Sequence, residues 1–261
     1  MNKTLKKIMA IGFGTYLTAY TGLASYAILD YKKNQDKIFN EAPNLLIVKE
    51  YSAEINGKKK KLALVGEAHN YTDKESRYAS EIMEKYGDIA KEGSDKEIKS
   101  KKFAKICVYV SIPSGYFYLT GSGRLAPNSS FLVTLYTAAN NKRKFCLENQ
   151  NPYDSLNKTQ KGMILTELIK HSLTAPLEYF KGKSENELSL KDYKILIDKK
   201  RNNSVLRYLN NGQREEKMAK KIEEIISKDD IDSLACFIGA SHLDNIDSIL
   251  KEKLRLKDYT E

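Results

Sequence analysis

Apolar positions along the chain fall in short runs separated by polar turns, and the period of each run predicts its element. Asn44 to Ile55, with the run LLIV and Tyr51, reads as a strand, and Asn56-Gly57 is a strong hairpin signal. Leu62 to Val65 is wholly apolar, as a central strand should be. After His69 a polar turn leads to a helix over Asp73–Tyr86. Asp73 is placed to cap it, Tyr78, Ile82 and Met83 form its apolar stripe, and Gly87 stops it. Asp88–Lys91 is a short strand with Glu92 at its end. Residues 94–102 read as a charged turn or helix, and Phe103–Ile112 as a further strand. Pro113 to Pro127, with Gly115, Gly121 and Gly123, is loop or hairpin. The GSG at 121–123 lacks a full phosphate-loop pattern and reads as a turn. Ser129–Ala139 predicts a helix, and Lys144–Leu147 a strand that Glu148 ends.

Two long helical stretches follow, Lys158 to Phe180 with a break at Pro176, and Leu190 to Asn210. They form an excursion able to cover the sheet or lid a site. Arg214–Ser227 carries Met218, Ile222 and Ile225 on one face, with Glu215 and Glu216 in the first turn, where the helix dipole favours acids. Leu234–Ile238 is an apolar strand. Leu243–Leu256 is the last helix, with Ile246, Ile249 and Leu250 on one side. This order of strands and helices predicts an α/β fold. It is a single layered domain over residues 34–261, with a central mixed β-sheet of about five to seven strands flanked by helices.

Residues 1–33 stand apart. Ile8 to Leu29 carry no charge; Lys3, Lys6 and Lys7 precede them, and Asp30, Lys32 and Lys33 follow. A helix of that length matches a bilayer core of roughly 30 Å, although Thr15, Thr18, Thr21, Ser25 and three tyrosines dilute it. The expectation is an N-terminal apolar helix that anchors the chain in a membrane as a single pass, with the main domain extracytoplasmic. A signal segment is the rival, and the protein is secreted if residues 1–27 are cleaved. The net charge of +10 is spread out. GKKKK at 57–61 is its one dense run, read as the solvated face of the hairpin turn. No zinc-finger spacing or RNA-binding aromatic motif accompanies it, so no nucleic-acid partner is expected. Cys107, Cys146 and Cys236 sit in separate apolar runs and read as buried reduced thiols, not a disulfide framework.

The chemistry concentrates at two strand ends. LALVGEAH ends at His69 and ACFIGASH at His242, so two of the chain's three histidines follow an apolar run, a glycine and two more residues. Ligands of open α/β sheets bind at such carboxyl ends. Glu67 lies on the same side of an extended backbone as His69, and a carboxylate can orient an imidazole, act as base or bind a metal. Gly66 and Gly239 permit close approach. Glu92 and Glu148 leave two further strands. Arg77 follows His69 on a helix. Arg214 opens a helix, where the dipole disfavours a cation, so it needs an acidic residue or an anionic substrate as partner. His171, in the helical excursion, reads as peripheral.

LALVGEAH, the carboxylate after the next strand, the REEKMAKKI run and the closing FIGASHL together resemble the TraB/PrgY, Tiki, erythromycin-esterase and ChaN superfamily. The resemblance runs in order through residues 45–254, and only its short motifs are specific. It implies a site of Gly66, Glu67, His69, Arg77, Glu92, Glu148, Arg214, Gly239 and His242. His69, His242 and Glu92 would be the ligands of any divalent metal, zinc or manganese. The Tiki branch implies a membrane-tethered metal-dependent peptidase, and the esterase branch a histidine-activated water without metal. The TraB/PrgY branch implies restraint of peptide signalling, and the ChaN branch haem binding, ranked below a divalent metal. The leading expectation is a membrane-tethered hydrolase of an amide or ester bond, with a peptide as possible substrate. The alternative is a non-catalytic binder of a peptide, an anion or haem in the same cleft.

Overall fold

The computed structural model describes residues 45–67, 73–94, 129–149, 156–181 and 212–258, with Asp154 and part of 11–29 and of 99–110. Its elements in chain order are β1 (Ile47–Ile55), β2 (Lys58–Glu67), α1 (Asp73–Lys85), β3 (Asp88–Lys91), α2 (Ser129–Ala139), β4 (Arg143–Cys146), α3 (Lys158–Lys181), α4 (Gly212–Ile226), β5 (Ser233–Gly239), α5 (Ala240–Leu254) and β6 (Lys257–Asp258). The expected mixed sheet flanked by helices is present, with six strands in the order β4-β3-β5-β2-β1-β6. The four strands β4, β3, β5 and β2 run parallel to one another, and β1 runs antiparallel between β2 and β6, so it alone opposes the rest.

The hairpin turn forms as its sequence requires. Asn56 and Gly57 both take positive φ, 55° and 74°, the left-handed pair of a two-residue hairpin loop. Alternation then divides β2 between two cores. Ala63 and Val65 pack with Ala79, Ile82 and Met83 of α1 and Val133 of α2. Leu62 and Leu64 pack on the opposite face with Met218 and Ile222 of α4 and Leu243, Ile246 and Leu250 of α5. Helices on both faces explain why the central strands are apolar throughout.

Three expectations are corrected. First, β2 begins at Lys58, so most of GKKKK is strand and not turn. Alternation puts Lys60 on the core side with Leu62, where it is 1% exposed. Its Nζ donates to the carbonyls of Ile226 (2.9 Å) and Lys228 (2.5 Å), at the carboxyl end of α4, where helical carbonyls lack partners. Lys142 does the same for α1, donating to Met83, Glu84 and Tyr86 carbonyls.

Second, the described residues of Phe103–Ile112 are helical, not a strand. Phe103 and Cys107, four apart, pack against Leu156, Ile164 and Leu168 around α3. That helical stripe outweighs the β propensity of the run. Third, α3 runs through Pro176 without a break. Proline has no N–H to give the carbonyl four residues back, at Ser172. Tyr20 Oη donates to that carbonyl at 3.3 Å, and Tyr16 Oη donates to the carbonyl of Leu173.

Every described residue between 11 and 29 is helical. Among the described residues no helix is long and apolar enough to cross a membrane. The expected helix over 190–210 and the loop with Gly115, Gly121 and Gly123 lie outside the described residues. None of the three cysteines is in a disulfide; Cys107 and Cys236 are buried and Cys146 is half-buried. At the amino end of the sheet Arg143 clamps Asp88 through Nε (2.6 Å) and Nη2 (2.9 Å) and also reaches Asp230. Toward β1, Asp247 of α5 takes Lys49 Nζ and Tyr51 Oη, each at 2.6 Å.

Candidate functional site

The carboxyl ends of β4, β3, β5 and β2 emerge side by side. Glu67 is in register with Gly239, and Lys91 with both Phe237 and Cys146. Helices α1 and α2 pack on one face of the sheet, and β5 runs directly into α5 on the other. The carboxyl ends of parallel strands flanked in this way are where open α/β sheets bind ligands. The ladders extend one step past the strands: Glu92 N–H donates to Phe237 (2.8 Å), and Glu148 N–H to Gly93 (3.2 Å). Those bonds set Glu92 and Glu148 at one level beside the start of α5.

Gly66 is what lets α5 come so close. A Cβ there would stand 2.9 Å from Leu243 Cδ2 and 3.3 Å from Ala240 Cα. Because Gly66 faces α5, alternation turns Glu67 to the α1 face, where it is buried. Helix α5 begins at Ala240, earlier than expected, so His242 sits in its first turn and not in a loop. The N-cap Gly239 supplies no side chain. Its N–H donates to Glu92 Oε2 at 2.5 Å, which brings a carboxylate to the positive end of the helix dipole.

Arg214 joins the pieces from the first turn of α4. Its Nε and Nη2 reach both oxygens of Glu148 at 2.6 and 2.9 Å, and Nη2 also reaches Glu92 Oε1 at 2.6 Å. Burial works against its charge, but the hydrogen bonds and attraction of Glu148 and Glu92 outweigh that and hold the guanidinium above its ordinary pKa. The cation that the helix dipole disfavours therefore has acidic residues of the chain as its partners.

His242, 2% exposed, lies between Arg214 and Glu215. Arg214 Nη1 is 3.1 Å from Nε2, and Glu215 Oε1 is 3.0 Å from Nδ1. A guanidinium only donates, so Nε2 accepts; Nδ1 then carries the ring proton and gives it to Glu215. Asn245 Nδ2 donates to the other Glu215 oxygen at 2.5 Å and fixes that carboxylate. Glu92 Oε1 stands 3.7 Å from Nε2.

Four of the expected residues, Glu92, Glu148, Arg214 and His242, thus form one network, with Gly239 bonded into it. Arg77 is exposed on α1 and is not among the partners of Arg214 in this network. His69 lies outside the described residues; the strand that leads to it ends beside Gly239. His171 falls within α3, away from these strand ends in sequence. Glu215 and Asn245 were missed. An acid in the first turn of a helix reads as a dipole partner, and nothing in the spacing of Asn245 marks it.

Of the expected metal set, His242 Nε2 accepts from Arg214 and both Glu92 oxygens take protein donors, while His69 lies outside the described residues. Among the described residues no group of three or more His, Cys, Asp or Glu is placed to hold a metal. The arrangement suits proton transfer instead: a carboxylate fixes the imidazole tautomer and directs Nε2 toward the strand ends. The chain matches no protein-family model, no curated protein and no solved structure.

Proposed function

We propose that the protein is a membrane-attached hydrolase of ester or amide bonds, working by general base catalysis without a metal. The observation that carries this is the Glu215–His242 pair, buried at the carboxyl edge of the sheet with Nδ1–H pinned and Nε2 directed at Arg214 and Glu92. Buried charges are costly unless each is paired, and a network of them at a ligand-binding edge favours a chemical role over a structural one. In the reaction a water oxygen bonds to the substrate carbonyl carbon as its proton passes to His242 Nε2, Arg214 Nη1 giving up that contact. Glu215 and Glu92 balance the imidazolium charge. The proton then passes to the leaving oxygen or nitrogen as its bond to carbon breaks. His69, two residues past the end of β2 in the sequence, is assigned the second proton-transfer role. Arg214 acts as a positioning residue that holds Glu92, Glu148 and the ring. Residues 8–29 supply the membrane attachment, and membership in the TraB/PrgY, Tiki and erythromycin-esterase superfamily is part of the same proposal.

The test is turnover by the full chain in detergent on a panel of esters and peptides, with and without a chelator. Chelator-insensitive hydrolysis, lost in His69→Ala and in His242→Ala with circular dichroism unchanged, is expected. Full activity in either variant overturns the mechanism. A second reading, a catalytically silent binder, is favoured by one fact: in this state Nε2 and the Glu92 and Glu148 oxygens all face protein donors. No turnover on the whole panel, with a peptide or haem co-purifying, selects it.

A further inference from the structure

Tyr16 and Tyr20 lie at the middle of the uncharged segment 8–29, and both donate to backbone carbonyls of α3, at Leu173 and Ser172. Their rings are 6.0 Å apart and form one contact face. One turn earlier on α3 stand Glu167 and Lys170, 3.9 Å apart, with Lys170 67% exposed. If residues 8–29 crossed a bilayer, Tyr16 and Tyr20 would sit near its midplane and draw these charges into hydrocarbon, where ionised side chains are strongly disfavoured. The same helices also turn large apolar residues outward. Ile11 is 69% exposed, Leu29 66%, Ile169 43% and Leu173 50%, and on the neighbouring helical stretch Ile106 is 46% and Tyr109 69% exposed. Lys102, Lys105, Lys158 and Lys170 are exposed on these elements, the charge that suits anionic headgroups.

We infer that the N-terminal segment does not span the membrane but lies in the plane of an anionic lipid surface, docked along α3, so that the folded domain itself rests on the bilayer. This rests on the proposal of membrane attachment and goes beyond it in placing α3 at the lipid. It explains the threonine and tyrosine content of the segment: Thr15 and Thr18 donate to carbonyls four residues back, at Ile11 and Gly14, as polar residues of an interfacial helix can. Ile11, Thr18 and Leu29 fall on one side at helical spacing, away from the Tyr16–Tyr20 face.

The chain contains no tryptophan, which makes single-tryptophan variants clean depth probes. The full-length variants Ile11→Trp, Thr18→Trp, Leu29→Trp and Leu173→Trp would be bound to phosphatidylcholine–phosphatidylserine vesicles carrying lipids spin-labelled at shallow or deep positions. Expected is stronger quenching by the shallow label at all four sites, at similar depths of about 5–10 Å below the headgroups. Deep quenching at Thr18→Trp between two shallow ends, or no quenching at Leu173→Trp, overturns the in-plane arrangement and leaves attachment standing. No quenching at any site overturns both.

Discussion

Replacing Arg214 with methionine removes the guanidinium that Glu92 and Glu148 share while nearly preserving side-chain volume. Arg214, Glu92 and Glu148 expose only 16%, 11% and 9% of their side chains, so water does not replace the lost partner well. Removing one member of a buried ion pair typically costs about 3–5 kcal/mol, because the remaining charge is left uncompensated. Here two carboxylates lose a shared partner, which puts the expected loss at the upper part of that range. With a urea dependence of about 3 kcal/mol/M, the unfolding midpoint should fall by roughly 1.3–1.7 M. The assay is urea denaturation followed by far-ultraviolet circular dichroism, since the chain has no tryptophan. Adding Glu148→Gln to Arg214→Met should recover part of the loss, because one of the stranded charges is then gone. A loss below about 1 kcal/mol, the range of an exposed ion pair, would show that the network is solvated and that neither carboxylate depends on Arg214.

Gly66→Ala should destabilise by about 1–3 kcal/mol, read as a lower thermal midpoint, because its Cβ would overpack a site where the Ala240 backbone, at 3.3 Å, must shift. Lys60→Met should cost about 1–3 kcal/mol in urea unfolding by removing the ammonium donor from the Ile226 carbonyl and leaving Lys228 only its bond from Ile231 N–H, yet leave any turnover per folded molecule unchanged. Burial pushes the Cys236 thiol well up, so Cys146 should be alkylated first and Cys236 only on unfolding, as followed by peptide mass mapping. The sign of the linked stability follows: a raised thiol pKa stabilises the fold fully below the ordinary thiol value and loses that contribution as pH rises above it, so Cys236→Ala should unfold less readily in alkali than the parent does relative to neutral pH.

Much of this fold was legible because the central strands are buried on both faces. LALV and LACFIG carry no polar residue, and few elements but internal strands read that way. The site was legible through two local conflicts: acids leaving buried strands, and an arginine where a helix dipole opposes it. What stayed hidden was set by tertiary contact. Glu215 satisfies the ordinary rule for a first turn, so its bond to His242 left no trace in the spacing. Phe103–Ile112 is rich in β-formers, and packing against α3 decides that its described residues are helical. Lys60 was misread because a basic run beside Asn-Gly looks solvated. Its alternation with Leu62 and Leu64 was the available signal, and the end of α4 supplied the carbonyls that make its burial tolerable.

Whether Glu215 and His242 work as a proton-transferring pair is read from the turnover number of Glu215→Gln on the best ester or peptide substrate. The amide can keep the contact to the ring but cannot hold the imidazolium charge. Expected is a fall in kcat of about 10²–10⁴-fold with little change in KM or in the urea midpoint. Unchanged kcat in a folded Glu215→Gln enzyme would contradict it.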